Sequence, residues 1–200
     1  MKKIILASSS PRRIAMIKEK GIDPIIIPPE IDETISKDMK PRDAVMFLAL
    51  KKALYVESIA LEKGYTDESI IIAADTIVVC GDNIIGKPRD EKDAYEILKT
   101  LNGNEHTVLT GVALIVPGAA AREVLYETTK VFFKQYSDEE IAEYIKTPEP
   151  YDKAGGYAIQ GAWGKYIDRI DGDYNNVVGF PWDRIQKRLE AICSLSSYIS

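Results

Sequence analysis

Residues 4–13, Ile-Ile-Leu-Ala-Ser-Ser-Ser-Pro-Arg-Arg, place three hydroxyls, a proline and two guanidinium groups directly after a short apolar run. A serine before proline starts a helix well, because Pro11 suits the first helical position and a hydroxyl can cap a free N–H. Unpaired N–H groups at a helix start and the planar forks of Arg12 and Arg13 are what a phosphate or another anion requires. An ordinary capped helix with two solvated arginines has the same local sequence. Asp75 is the second feature, inside the apolar run Ile70–Val79. A carboxylate there is costly to bury unless it is paired, hydrogen-bonded or bound to a metal. The bland alternative ends the strand at Ala74 and leaves Asp75 on the surface.

Other polar residues stand beside backbone-permissive ones: Lys87 in Gly86-Lys87-Pro88, and Gln160 in a glycine-rich run. Each is equally a solvated turn residue, although an amide such as Gln160 can read a base edge. Arginines and lysines neutralise phosphate oxygens. Asp75 with Glu33 could hold a hard divalent cation or act as general base on a water. That set fits metal-assisted attack on a phosphoanhydride, in which positioning and charge stabilisation carry catalysis. Gly86-Lys87-Pro88 lacks the flanking glycine and Ser/Thr of a Walker loop, and no dinucleotide-binding glycine pattern occurs. His106 is the sole histidine, which makes a Ser–His triad or a multi-histidine metal site hard to build. Its plain reading is a structural hydrogen-bonding residue.

The elements that must carry these residues follow from periodicity. Ile4–Ala7 reads as a buried strand leading into an amphipathic run 14–20, which Gly21 ends. Pro24–Ile27 makes a second short strand, broken by Pro28-Pro29 before the acidic loop Glu30, Asp32, Glu33. Pro41 opens a helix over 41–62 with apolar residues at helical spacing. Of its adjacent Lys51 and Lys52, one is expected on the solvated face, and Lys52 fits that description less well. Residues 70–79 form a central strand by length and β-branching. A turn at Gly81-Asp82-Asn83 and a return strand Ile84–Gly86 come next, then a helix over 90–101. Runs 105–116 and 122–133 flank Pro117-Gly118 and read as a long antiparallel hairpin. Ser137-Asp138-Glu139-Glu140 is a capping box for a helix to Lys146. Residues 151–164 form a glycine-rich loop that lets a backbone approach something closely. A strand at 165–171, a turn at Asp171-Gly172-Asp173 and a helix near 181–195 complete the pattern.

Two hundred residues, 46% of them hydrophobic and 28% charged, are the composition of a globular chain with room for a substantial core. A net charge of −5 argues against a general nucleic-acid binder, but not against a local basic pocket. Cys80 and Cys193 have no metal-ligand partners at recognisable spacing and read as reduced, which suits a cytoplasmic protein. Met1-Lys2-Lys3-Ile4 resembles a signal-peptide start, but its apolar run is too short. No segment is expected to span a membrane.

The motifs Ala7-Ser8-Ser9-Ser10-Pro11-Arg12-Arg13, Ala74-Asp75-Thr76, Gly86-Lys87-Pro88, His106-Thr107-Val108-Leu109-Thr110-Gly111, Asp152–Gly161 and Asn176–Pro181 together resemble the Maf family of nucleoside triphosphate pyrophosphatases. The resemblance runs almost the full length and in the right order. It implies a single 1–200 domain of α/β class. In that domain a mixed twisted sheet with flanking helices forms two lobes around a deep cleft, as in inosine triphosphate pyrophosphatases. It also implies a house-cleaning hydrolase that cleaves between α- and β-phosphates, releasing a nucleoside monophosphate and pyrophosphate with a divalent cation (Mg²⁺, Mn²⁺ or Co²⁺), and a homodimer. Asp75 matches the catalytic acid/base position. Ser8, Arg12, Arg13, Lys52 and Lys87 match phosphate-side positions, and Glu33 matches an acidic residue near the metal. The Pro28-Pro29 pair departs from the family's usual composition, leaving Glu30 beside Glu33 as an alternative for that carboxylate. Arg12, Thr76 and Gln160 match the branch acting on dTTP and UTP. A sister branch acting on 7-methyl-GTP resembles Ser-Asp-Gln where this chain has Ala74-Asp75-Thr76. A non-hydrolysing nucleotide-binding regulator of cell division or septation is the rival reading.

Overall fold

The computed structural model describes residues 2–36, 38–120 and 122–196. Strand β1 (Lys3–Ala7) leads into α1 (Pro11–Glu19), followed by β2 (Ile25–Ile26), α2 (Pro41–Glu62), β3 (Ser69–Cys80) and β4 (Asn83–Ile85). Then come α3 (Glu91–Leu101), β5 (Glu105–Ile115), β6 (Arg122–Phe133), α4 (Asp138–Tyr144), β7 (Ile167–Asp171), α5 (Tyr174–Val178) and α6 (Trp182–Ser196). The seven strands form one mixed sheet in the order β2-β1-β3-β5-β6-β7, with β4 paired to β3. β1 runs parallel to both β2 and β3, while β4 on β3 and β7 on β6 are antiparallel. The α/β class with a mixed sheet and flanking helices is therefore the observed one.

The chain divides into two compact units. The first comprises Met1–Asp75, Thr110–Tyr126 and Gly179–Ser200. Its core packs Ile5, Ala7, Ile71, Ala73, Ala113 and Ile115 of the sheet against Ala49, Ala53, Val56 and Ala60 of α2. Those four helical residues fall at intervals of four, three and four, so they share one face. Glu57, buried on the same helix, accepts both oxygens' worth of bonds from Arg122 at 2.9 Å and one from the Gly118 N–H at 3.1 Å. That pair fastens the turn between β5 and β6 to α2.

The second unit comprises Thr76–Leu109 and Glu127–Val178. Its core is aromatic: Phe133, Tyr136, Tyr144, Tyr157, Trp163 and Tyr166 pack with Val78, Leu98, Leu101, Val108, Val131 and Ile141. Trp163 stacks on Tyr144 with centroids 4.4 Å apart at 24°. The Tyr136 hydroxyl donates to the Leu98 carbonyl at 2.6 Å, and His106 Nε2 meets the Tyr157 hydroxyl at 2.7 Å. The capping box at Ser137 is present in both directions, with Glu140 returning to the Ser137 N–H.

Several local expectations are corrected. Ser10 is the residue before α1 but makes no side-chain cap; Ser8 Oγ instead accepts the Ser10 N–H at 3.1 Å. The strand expected from 165 begins only at Ile167, because the 3-10 turn Ala162–Tyr166 runs up to it; the glycine-rich segment before it holds a further 3-10 turn at Ala154–Gly156 and makes the close backbone approaches expected of it. α5 was not anticipated: at five residues it is too short to show a period, and Asp173 starts it by accepting the Asn175 N–H at 2.8 Å.

Candidate active site

β3 carries Asp75 as the last residue of the first unit, inside the strand and only 7% exposed. The surface alternative is thereby excluded, and burial demands a partner. Lys52, equally buried on α2, supplies it, with Nζ 2.5 Å from Asp75 Oδ1. The same ammonium lies 2.7 Å from Glu33 Oε1, so it bridges two carboxylates that are 42 residues apart by number. The adjacent Lys51 donates to the Asp32 carbonyl at 2.5 Å. Consecutive lysines of α2 thus grip the acidic loop, and neither is simply solvated. Within that loop Asp32 Oδ1 accepts from the Thr34 hydroxyl and N–H at 2.6 and 2.9 Å, bonds that hold its carboxyl below the usual range. Glu33 and Glu30 are both exposed, but Glu33 is the one paired with Lys52.

Arg13 approaches Asp75 from α1. Its Nη1 donates to the Ala74 carbonyl at 2.8 Å and its Nε to the Gly179 carbonyl at 2.9 Å, which fixes the backbone beside the carboxylate. Burial pushes the guanidinium pKa down from its ordinary value, Asp75 pushes it up, Arg12 down and Glu33 up, so Arg13 lies in the field of all three. It stays a cation, as arginine does in proteins. Arg12 is half-buried and makes no hydrogen bond or ion pair among the described residues. Ser8, at 4% exposure, closes the same strand-to-helix turn. The first unit therefore gathers Ser8, Arg12, Arg13, Glu33, Lys52 and Asp75. Three cations against two carboxylates leave an excess of positive charge, which suits an anionic ligand.

Thr76, Lys87 and Gln160 belong to the second unit. Thr76 follows Asp75 directly, and strand geometry directs its side chain to the opposite face. Lys87 is exposed after β4, and the adjoining Gly86 carbonyl accepts the Gly155 N–H at 3.0 Å. Two motifs far apart in the chain are joined there. Gly155 has φ +76, and a Cβ on it would come 2.9 Å from Val78 Cγ2, so only glycine allows the contact. Gln160 is exposed, with no hydrogen bond from its side chain among the described residues. Lys51 and Glu149, which tether the two loops concerned, were not singled out from sequence; their contacts are long-range and no local motif marks them.

The donor set also bears on a cation. Among the described residues no group of three His, Cys, Asp or Glu side chains could hold a metal ion. Asp75 and Glu33 offer hard oxygens on either side of Lys52 Nζ. Two carboxylates fit a cation such as Mg²⁺, which keeps waters and takes its remaining ligands from substrate phosphates.

The family model for Maf-like proteins matches residues 3–192. The chain belongs to the Maf family. A protein of Caldicellulosiruptor saccharolyticus named dTTP/UTP pyrophosphatase is 44% identical over 193 residues, covering 96% of each chain. One from Geobacillus sp. (strain WCH70) with the same name is 44% identical, covering 96% of this chain and 99% of the relative. A third, from Bdellovibrio bacteriovorus, is 41% identical over 93% of this chain and 96% of its own, and carries that name as well. No helix among the described residues of this Maf protein is long and apolar enough to cross a membrane.

Proposed function

We propose that this Maf protein is a nucleoside triphosphate pyrophosphatase that hydrolyses dTTP and UTP to the monophosphate and pyrophosphate. The observation that carries the reading is the buried Asp75 carboxylate, held on Lys52 with Glu33 and flanked by Arg13, in a chain so similar to enzymes of that name. Asp75 takes a proton from, or orients, the water that attacks the α-phosphorus; the bond from that phosphorus to the bridging oxygen breaks and pyrophosphate leaves. Lys52 holds the carboxylate in place from its Oδ1 side. Arg12, Arg13, Ser8 and Lys87 carry the phosphate side, and Thr76 and Gln160 the choice of base. Glu33 and Asp75 would hold a divalent cation together with the triphosphate, and its chemistry would be charge neutralisation at the phosphoryl oxygens. A non-hydrolysing regulator would have no use for a carboxylate prepared in this way.

The test is pyrophosphate release over a nucleotide panel with Mg²⁺. The reading expects UTP and dTTP to be turned over with kcat/KM at least about 10-fold above 7-methyl-GTP. Absence of pyrophosphate release from every nucleotide, with binding retained, would move the protein to the regulator class.

A further inference from the structure

The 158–164 segment that presents Gln160 is wound tightly. The Gly161 N–H donates to the Ala158 carbonyl and the Gly164 N–H to the Gly161 carbonyl, each at 3.1 Å. A Cβ on Gly164 would come 2.3 Å from the Ile159 carbonyl oxygen. The closest constraint is a side chain. Glu149, half-buried in the 3-10 turn Glu149–Asp152, lays its carboxylate on Gly161 so closely that a Cβ there would stand 2.0 Å from Oε1. Glu149 Oε2 accepts the Ala162 N–H at 3.3 Å, and Oε1 accepts the Tyr144 hydroxyl at 2.9 Å. Tyr144 is itself fixed by stacking on Trp163. Burial first, and then the Glu149 carboxylate, keep the Tyr144 hydroxyl protonated as a donor. Lys153 Nζ donates to the Glu149 carbonyl at 2.7 Å, holding the other end of the acid's backbone. A charged side chain is thus tied on both sides and directed onto the two residues that follow Gln160. A mere hydrogen-bonding loop would not need a glycine with no room above it.

We propose that Glu149 is a positioning residue for nucleotide selection: anchored by Tyr144, it fixes the Gly161–Ala162 backbone and so sets where the Gln160 amide is presented. The inference rests on Gln160 contacting the base.

Steady-state kinetics with UTP and 7-methyl-GTP on wild type, Glu149→Ala, Glu149→Gln, Gln160→Ala and the Glu149→Ala/Gln160→Ala double variant test it. Glu149→Ala is expected to raise the UTP KM about 10-fold with kcat within about 2-fold, and to narrow the preference over 7-methyl-GTP. Glu149→Gln keeps the shape and one acceptor for the Ala162 N–H, so it should lie between the two. In the double variant, Glu149→Ala should add little to the effect of Gln160→Ala, because both act on one contact. Tyr144→Phe, which keeps the stack on Trp163, gives a second route if Glu149→Ala does not fold, and its KM should rise in the same direction. Equal KM penalties from Glu149→Ala in the presence and absence of Gln160, or a fall in kcat alone, would overturn the proposal. If Gln160→Ala leaves selectivity unchanged, the base-contact reading itself fails, a result distinct from a selective Gln160 with an inert Glu149.

Discussion

The two units solve opposite problems with polar groups. Around Asp75 the first unit buries charge and balances it with charge: Lys52 bridges Asp75 and Glu33, and Arg13 clasps the Ala74 carbonyl alongside. In the second unit the core is aromatic and buries no ion pair of its own among the described residues: His106 meets Tyr157, Tyr136 meets the Leu98 carbonyl, and Tyr144 and Tyr166 donate outward to Glu149 and Glu140. Charge that is buried and paired is prepared for a reaction in which negative phosphoryl oxygens arrive. Aromatic packing gives a stiff platform, and the loop bearing Gln160 is tied to it by a single carboxylate, Glu149, which accepts from the Tyr144 hydroxyl and the Ala162 N–H. The contrast predicts that substitutions around Asp75 cost both stability and chemistry, while those in the aromatic core act mainly through shape.

The larger break in that contrast is Lys52→Met. Removing the ammonium leaves the buried Asp75 carboxylate without its closest partner, and loss of one member of a buried pair costs about 3 kcal/mol. For a chain of this length that corresponds to a melting temperature lowered by roughly 10 °C. Millimolar Mg²⁺ should recover part of the loss without nucleotide, since Asp75 and Glu33 then face a vacant place for a cation. Thermal melts with and without Mg²⁺ check this; an unchanged melting temperature would mean that the pair in the first unit is incidental to its stability.

An effect that is felt only in acid, and is smaller than the first at any pH above about 5, probes the aromatic region. Burial pushes the His106 pKa down to about 4 from 6.5. Below about pH 6.5 the unfolded chain takes up a proton on this ring, whereas the folded chain does not do so until about pH 4. The contribution is therefore complete above pH 6.5 and is lost as the pH falls to 4, amounting to about 3 kcal/mol at the acid end and about half that midway. His106→Gln should flatten the decline of stability between pH 6.5 and 4, measured by denaturant melts at several pH values. An identical decline in the variant would show that His106 is not what makes this core sensitive to acid.

Much of this architecture is legible in the sequence because its signals are local. The branched run around residues 70–79 reads as a strand although its end is left open at Ala74, Pro41 and the helical spacing behind it delimit α2, and Ser137 with Glu140 marks the start of α4. The oddity of Asp75 in an apolar strand likewise announces itself. What closes over Asp75 does not: Lys52 reaches it across 23 positions, and Glu33 comes from a segment without regular structure. Adjacent Lys51 and Lys52 look alike as letters, yet one clasps a carbonyl and the other sits between two carboxylates. The role of Glu149 is still less visible, since it depends on Gly161 lying under it, twelve residues on. Ser10 shows the converse, a residue whose local pattern promises a cap that Ser8 provides on a different N–H.

Whether Asp75 activates the water that cleaves the nucleotide is decided by UTP-dependent pyrophosphate release from Asp75→Asn, taken with its thermal melt and its affinity for UTP. The variant keeps the shape of the side chain and an oxygen for Lys52 but loses the basic carboxylate, so kcat should fall by about 10³-fold while UTP binding stays within a few-fold and the protein melts cooperatively. A folded Asp75→Asn protein that releases pyrophosphate at close to the wild-type rate would mean that Asp75 is not the base.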